Sequence, residues 1–152
     1  MSDVWLQTVL RLGVAVVAGG AIGWERQLSG RPAGLRTHML VSLGCALLIL
    51  IPLGTGIADT TRVIQGVATG IGFLCAGDIF RQRREGKERV KGLTSAASLW
   101  VTAGIGLVAG AGQWPVVVVG TGMTVLVLAA KRLEPRRKKP SAPPEEGSAP
   151  DA

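Results

Sequence analysis

The sequence predicts an all-α, polytopic membrane protein, a bundle of about five transmembrane helices with the N-terminus outside and the C-terminus in the cytoplasm. Hydrophobic residues make up 47% of the 152 residues, and they are grouped in long runs together with most of the 22 glycines. Charged residues make up only 18% and are bunched between these runs. A soluble domain of this size would distribute its charges along every helix, so the grouping indicates the membrane class.

Five apolar segments are long enough to cross a bilayer as helices, because ~20 residues at a rise of ~1.5 Å match a hydrocarbon core of ~30 Å. We predict them at residues 4–24, 35–53, 63–80, 93–111 and 114–130. The membrane domain then covers residues 1–133. Residues 134–152 are rich in Pro, Ser and charge, which predicts a disordered cytoplasmic tail.

The basic residues predict the orientation of the bundle. Fifteen of the 17 Lys and Arg residues follow the first, third or fifth segment. Cytoplasmic loops carry the excess of Lys and Arg, so these three connections are predicted to face the cytoplasm. The net charge of +7 is then explained by topology, and we expect a lipid bilayer rather than a nucleic acid as the partner.

Small residues four positions apart recur in three of the segments, a pattern by which transmembrane helices approach closely. They are Ala15, Gly19 and Gly23 in the first segment, Gly66, Gly70, Gly72 and Ala76 in the third, and Gly106 and Gly110 in the fourth. We predict that they form helix–helix contacts within the bundle. A small-residue face that stays exposed would suit a partner protein or a second copy in a homo-oligomer.

The fourth segment carries an intramembrane polar stripe. Thr94, Ser98 and Thr102 recur every four residues and so share a helix face, with Ser95 alongside. Hydroxyls of this kind bond to carbonyls of their own helix or to a neighbouring helix. A hydrated or ion-facing strip is the alternative, and it requires that Asp78 face the stripe.

Asp78 lies in an apolar run just before a basic cluster, and acids within a membrane are candidates for function. Glu25 follows the first segment at the same predicted depth. Two carboxylates there suggest a magnesium site, because Mg²⁺ takes oxygen ligands. Two structural alternatives stay open: Asp78 pairs with Arg81 or Arg84, and Glu25 pairs with Arg36.

Arg11 interrupts the first segment. A long basic side chain at this depth reaches outward to the interface or pairs with an acid, here Asp3 or Asp59. A role in gating or transport is the alternative.

No catalytic set is recognisable in the sequence. His38 is the only histidine, and it shares a helix face with Ser42 and Cys45, which makes a metal site there a weak hypothesis. Cys45 and Cys75 have no zinc-site spacing and are expected to be buried thiols. There is no Ser–His–Asp combination, phosphate loop or HExxH motif, so we expect neither an enzyme nor a cofactor.

Three stretches in order resemble signatures of the MgtC/SapB family. They are GGAIGWERQ with RPAGLRTHMLVSLG at residues 19–44, GIGFLCAGDIF at 70–80 and VKGLTSAASLWVTAGIGLVAGAG at 90–112. The motif positions include Glu25, Arg26, Gly34, Arg36, Thr37, Gly70, Gly72, Gly77, Thr94 and Trp100. This chain departs from the family pattern at Cys75, where glycine is usual, and at Asp78, where an apolar residue is usual.

The resemblance implies a bacterial inner-membrane protein linked to magnesium limitation, acid tolerance and survival in hosts. It implies a non-enzymatic regulator of membrane energetics or of partner proteins such as ATP synthase or a magnesium pump. Transport of Mg²⁺ or another cation is the alternative. Longer members carry a C-terminal cytoplasmic domain, and this chain is expected to comprise only the N-terminal membrane domain.

The predicted topology is testable with reporter fusions. A reporter fused after Ala130 should be active as a cytoplasmic protein, because the flanking segment is basic. A reporter inserted near Thr60 should be active only as a periplasmic protein. The reverse pattern would contradict the charge argument.

Overall fold

A computed structural model describes residues 2–55, 60–81 and 92–130, and these residues form five α-helices and no strand. The helices are α1 (Ser2–Leu28), α2 (Leu35–Thr55), α3 (Thr60–Arg81), α4 (Leu93–Gly110) and α5 (Trp114–Ala129). The all-α prediction is confirmed, and each helix end lies within four residues of its predicted segment. The predicted tail at 134–152 and most of the basic connection after α3 lie outside the described residues.

Three helices of the described part are long and apolar enough to cross a membrane: Asp3–Leu28, Leu35–Leu53 and Leu93–Gly110. α5 is apolar but shorter. α3 is not among the three, and its first turn contains Thr60, Thr61 and Arg62. The protein is therefore a membrane protein, while the number of spans and the orientation of the termini stay predictions.

The surface of the bundle is apolar. Large side chains such as Val17, Phe73, Val118 and Leu126 are 72%, 86%, 71% and 72% exposed. Contiguous apolar surface of this kind is rare on a soluble monomer. The buried residues, in contrast, include an arginine, a histidine and several hydroxyls. Polar groups inside and apolar groups outside fit a protein whose solvent is lipid.

α4 is the central helix, because it packs against each of the other four. α1 and α2 form the most extensive pair, and both also contact α4. α3 lies against α4 and α2, and α5 against α1 and α4. The buried apolar residues divide into two clusters, one centred on Ala15, Ile22 and Ala109 and one centred on Leu99 and Ala103.

The backbones of α1 and α2 approach closely at Gly19 and Gly23. A Cβ atom added to Gly19 would lie 2.6 Å from the carbonyl oxygen of His38. A Cβ atom added to Gly23 would lie 2.7 Å from the Cα atom of Leu35. Only glycine fits at such contacts, so the predicted packing role of this face is confirmed.

α4 meets α2 in the same way at Gly106 and Gly110. A Cβ atom at Gly106 would collide with the carbonyl oxygen of Ser42 and would lie 2.8 Å from its Cα atom. A Cβ atom at Gly110 would lie 2.7 Å from the carbonyl oxygen of Ala46. The contacts at Gly106 are with backbone atoms, which cannot rotate away as a side chain can, and at Gly110 the Ile49 side chain adds to the backbone contact.

The glycines of α3 do not follow this prediction within the described chain. At Gly66, Gly70, Gly72 and Gly77 an added Cβ atom would meet nothing within 4 Å. The reason is that α3 contacts its neighbours through other residues, such as Ile71 and Cys75, which are buried. The glycine face of α3 is therefore open.

Two glycines with positive φ close the helices that precede tight connections. After α1, Gly30 has a φ of 65°, its N–H donates to Gln27 O at 3.0 Å, and the N–H of Arg31 donates to Arg26 O at 3.1 Å. This pair of bonds is a Schellman motif, which satisfies the last carbonyls of the helix. Gly112, with a φ of 76°, ends α4 in the same manner and turns the chain into α5.

Arg11 has a structural contact that the sequence did not predict. Its Nη1 atom donates to the carbonyl oxygen of Gly110 at 3.1 Å, so a positive charge lies at the C-terminus of α4. The same guanidinium packs on the turn, 3.3 Å from where a Cβ atom of Gly112 would be. Arg11 therefore connects α1 to the α4–α5 turn, and Asp59, one predicted partner, lies outside the described residues.

The close contact at Gly106 makes a stability prediction. Gly106→Ala should destabilise the bundle by about 1–3 kcal/mol, because its Cβ atom meets the fixed backbone of Ser42. Gly104→Ala on the same helix is the matched control, because nothing lies within 4 Å of its added Cβ atom. Thermal unfolding in detergent should show a lower transition for the first variant alone. Equal shifts in both would contradict the contact.

Candidate functional site

The candidate site is a cluster of buried polar side chains where α1 ends and α2 and α4 begin. We call it the polar cluster, and its members are Glu25, Arg26, His38, Ser42, Ser95, Ser98 and Thr102. Each is less than 9% exposed. Burial of polar groups without partners is costly, so the bonds of this cluster determine whether it is structural or functional.

His38 bridges α2 and α4. Its Nδ1 atom lies 2.9 Å from Gly34 O, and because a carbonyl only accepts, Nδ1 carries the proton. Its Nε2 atom lies 3.2 Å from Ser98 Oγ, whose hydroxyl also lies 2.8 Å from Ser95 O. Ser98 has one proton, so it donates either to Ser95 O or to a neutral imidazole. His38, Ser42 and Cys45 are all buried, which confirms the predicted shared face.

Arg26 is a fully buried cation at the end of α1, only 1% exposed. Its Nη1 atom lies 3.6 Å from Glu25 Oε2, and Glu25 Oε1 accepts a hydrogen bond from Ser29 Oγ at 2.7 Å. Glu25 thus interacts with Arg26 and Ser29 rather than with the predicted partner Arg36, which is exposed. An adjacent acid offsets the buried positive charge only in part at this distance.

Several polar atoms in this region have no hydrogen-bond partner. They are Nε and Nη2 of Arg26, Oε2 of Glu25, Oγ of Ser42, Oγ of Ser95 and Oδ2 of Asp78. Buried polar atoms in folded proteins are nearly always satisfied by protein or ordered water. The cluster is therefore a place where water or a ligand group is energetically favoured.

The polar stripe on α4 is partly as predicted. Thr102 Oγ1 donates to Ser98 O at 2.7 Å, so its hydroxyl bonds back to its own helix as expected. Ser95 also lies on the buried face. Thr94 was predicted in the stripe but is exposed. The buried face of α4 contains residues 95, 98, 99 and 102, and Thr94 lies just outside it.

Asp78 lies near the end of α3, beside the start of α4. Its Oδ2 atom would be 3.7 Å from a Cβ atom at Gly92, the N-cap residue of α4. It is within electrostatic range of Arg26 and His38 but makes no bond to either. It lines a cavity of about 510 Å³ together with Thr37, rather than facing the stripe. Arg84 lies outside the described residues, as does the side chain of Arg81.

The predicted magnesium ligands Asp78 and Glu25 do not form part of a larger metal-ligating set. Across residues 2–55, 60–81 and 92–130 there is no group of three or more His, Cys, Asp or Glu side chains that could hold a metal ion. Glu25 is already engaged by Arg26 and Ser29. The magnesium site therefore stays a prediction.

Sequence reasoning missed the burial of Arg26, although a signal was present. Ala15, Gly19 and Ile22 are buried on one face of α1, and Arg26 continues that face four residues after Ile22. A charge that extends an apolar, small-residue face indicates a buried cation. Sequence reasoning considered the neighbouring Glu25 as a candidate ligand and did not consider the burial of Arg26.

The other motif residues occupy different environments. Gly34 packs against Gln27, with 3.4 Å from its added Cβ atom to Gln27 Oε1. Thr37 lines the Asp78 cavity. Gly70, Gly72 and Gly77 lie on α3 at positions where an added Cβ atom would meet nothing within 4 Å. Trp100 is 56% exposed on α4.

The fold and the buried polar cluster define an all-helical membrane protein, and comparison with known proteins identifies its family. Residues 12–136 match the MgtC family, so the chain belongs to that family. The predicted resemblance is thereby confirmed. No solved structure matches the chain.

Three relatives illustrate the range of similarity. Protein SrpB of Synechococcus elongatus is 43% identical over 142 residues, which cover 86% of this chain and 78% of that protein. YhiD of Escherichia coli, described as a putative magnesium transporter, is 42% identical over 130 residues, covering 79% and 58%. Protein MgtC of Salmonella typhimurium is 43% identical over 106 residues, covering 70% and 44%. The match thus spans about half the length of the last two.

The Glu25–Arg26 pair can be tested by a double-mutant cycle. Glu25→Gln should lower stability by about 3–5 kcal/mol, because it leaves the buried guanidinium of Arg26 without its counter-charge. Arg26→Met leaves the acid alone and should cost a similar amount.

The double variant Glu25→Gln/Arg26→Met should recover most of this loss, since neither charge then remains buried. Unfolding of each variant in mixed micelles measures the coupling. Additive losses in the double variant would show that the two charges act independently.

Proposed function

We propose that the protein is a multi-pass, non-enzymatic regulator of the bacterial inner (plasma) membrane, with a role in Mg²⁺ homeostasis and stress adaptation. Membership of the MgtC family supports this, as does similarity to a relative described as a putative magnesium transporter. In this proposal the protein acts on membrane energetics or on partner membrane proteins rather than by moving ions itself.

One observation carries the choice of regulation over transport. Beyond Thr102, the buried face between α2 and α4 is apolar: Ala46, Ile49, Ile105 and Ala109 are at most 6% exposed. From Thr102 to the end of α4 this layer is about 12 Å thick at 1.5 Å per residue. Within the described residues no polar side chain of α2 or α4 lines that layer, and a hydrated ion requires a polar path.

The chemistry of the acids also favours regulation. Mg²⁺ prefers six oxygen ligands in octahedral geometry and keeps several waters. Asp78 and Glu25 are on separate helices, and Glu25 is paired with Arg26. A guanidinium beside the acid opposes a divalent cation at the same place.

A regulatory role needs a surface for a partner, and the open glycine face of α3 supports one. A Cβ atom added to Gly66, Gly70 or Gly77 would meet nothing within 4 Å. Another helix can therefore approach the α3 backbone there. By resemblance to the family, ATP synthase and a magnesium pump are the partners we propose to test first. A second copy of the chain would use the same face.

Transport of Mg²⁺ or another cation is the second candidate function. The unpartnered polar atoms of Arg26, Ser42, Ser95 and Asp78 favour it, because they would solvate an ion or water inside the bundle. The two candidates differ in whether the apolar layer opens.

Ion flux in liposomes tests the proposal. Liposomes that hold the purified full-length chain should take up Mg²⁺ no faster than empty liposomes under an inside-negative potential. Liposomes with an added ionophore control for the seal and the indicator. Saturable flux that Asp78→Asn abolishes would contradict the proposal and establish the transporter.

The regulatory arm is measured in inverted membrane vesicles. Addition of the chain should change the rate of ATP-driven proton pumping or of a magnesium pump. No effect on either, together with no flux, would contradict a regulatory role on these partners.

A further inference from the structure

The cavity beside Asp78 combines apolar walls with one acid. Its volume is about 510 Å³, and it lies between the α1–α2 connection, α3 and α4. Ala33, Phe73, Leu74 and Leu99 form apolar walls, and among the described residues that line it Asp78 is the one that carries a charge. Phe73 is 86% exposed and Leu99 is 1% exposed, so the cavity runs from the outer surface of α3 into the bundle.

One oxygen of the Asp78 carboxylate has no partner among the described residues. Its Oδ2 atom is buried and makes no hydrogen bond. The start of α4 beside it gives partial compensation, because the N-terminal end of a helix carries a partial positive charge. Asp78 is half-buried, but a buried carboxylate oxygen without a hydrogen bond is costly, so a cation that reached Oδ2 would be stabilised there.

The surroundings select the kind of cation. A hard divalent ion needs about six oxygen ligands, whereas the described side chains that line this cavity offer the Asp78 carboxylate and the Thr37 hydroxyl. An ammonium group needs one counter-charge and a few acceptors. An alkyl chain attached to it would bury apolar surface against Phe73, Leu74 and Leu99.

We propose that this cavity binds an amphipathic organic cation, a primary ammonium on an apolar chain, with the ammonium on Asp78 Oδ2. The site goes beyond the proposed regulatory function and does not depend on it. The ammonium can come from a free alkylamine or from the headgroup of a phosphatidylethanolamine lipid, and the two sources share this chemistry.

The charges around the cavity do not attract a cation from a distance, so binding depends on its direct contact with Asp78. Among the described residues around Arg26, the formal charges of the two cations, Arg26 and Arg31, and of the two acids, Glu25 and Asp78, cancel. The sequence between Arg81 and Lys91 adds further positive charge. At ~150 mM salt the screening length is about 8 Å, so this field weakens with distance while a contact ion pair persists.

The test is calorimetric titration of the full-length chain in maltoside micelles with n-octylammonium at ~150 mM salt. The wild-type chain should bind it, and Asp78→Asn should weaken binding at least tenfold. Octanol, which has the same chain without the charge, should not bind at this site. Equal binding by wild type and Asp78→Asn, or by octanol and octylammonium, would overturn the proposal.

A second pair of variants tests the cavity without altering the charge. Gly77→Leu should block binding, because Gly77 lines the cavity and nothing lies within 4 Å of its added Cβ atom. Gly70→Leu is the matched control on the same helix, since Gly70 lines a different groove and is equally open. Binding that Gly70→Leu loses and Gly77→Leu keeps would place the site elsewhere.

Native mass spectrometry distinguishes the two sources of the ammonium. If a lipid supplies it, phosphatidylethanolamine should stay bound to wild type and be lost from Asp78→Asn. Phosphatidylglycerol should be retained to the same extent by both proteins. If a free amine supplies it, octylammonium binds without such lipid retention. Absence of both signals in folded protein would overturn the site.

Discussion

Direct backbone contact of α2 with α1 and with α4 is the constraint on which the rest of the structure depends. Gly19 and Gly23 of α1 and Gly106 and Gly110 of α4 leave no room for a side chain. Lipid gives helices little hydrophobic reason to associate, so close packing must hold them together. Because three helices meet at this distance, the side chains of Ser42 and His38 are enclosed from several sides.

That enclosure explains how the bundle tolerates a charged and polar interior. In the hydrocarbon region a lone polar group is costly, and the alternative to burial among other polar groups is exposure to lipid. Arg26 lies beside Glu25, His38 lies between Gly34 and Ser98, and Thr102 bonds to its own helix. Most of the buried polar atoms without hydrogen-bond partners lie toward the end of the bundle that holds Asp78, with Arg11 Nε and Thr121 Oγ1 as exceptions. The opposite half of the core is apolar, and there Arg11 bonds to the end of α4.

The sequence predicted the helices well because their signals are local. Runs of apolar residues set the lengths, and small residues four apart mark the packing faces of α1 and α4 correctly. The same spacing misled for α3, because periodicity shows that residues share a face and not whether a neighbour covers it. The prediction for Thr94 was wrong for a similar reason. Neighbouring positions on α4 point in different directions, so Thr94 is exposed while Ser95 is buried. The pairing of Glu25 with Arg26 instead of Arg36 depends on tertiary placement, which no spacing encodes.

Glu25 and Asp78 illustrate how environment, rather than residue type, assigns a role to an acid. Both are carboxylates near the same end of the bundle. Glu25 has a guanidinium and a hydroxyl as partners, so its charge is committed to holding Arg26 inside. Among the described residues, Asp78 has the start of α4 and a mostly apolar cavity beside it, and these balance its charge only in part. A binding site needs a group whose interactions are incomplete before the ligand arrives. Among the described residues, Oδ2 of Asp78 has no hydrogen bond, whereas Oε2 of Glu25, which also has none, faces the guanidinium of Arg26.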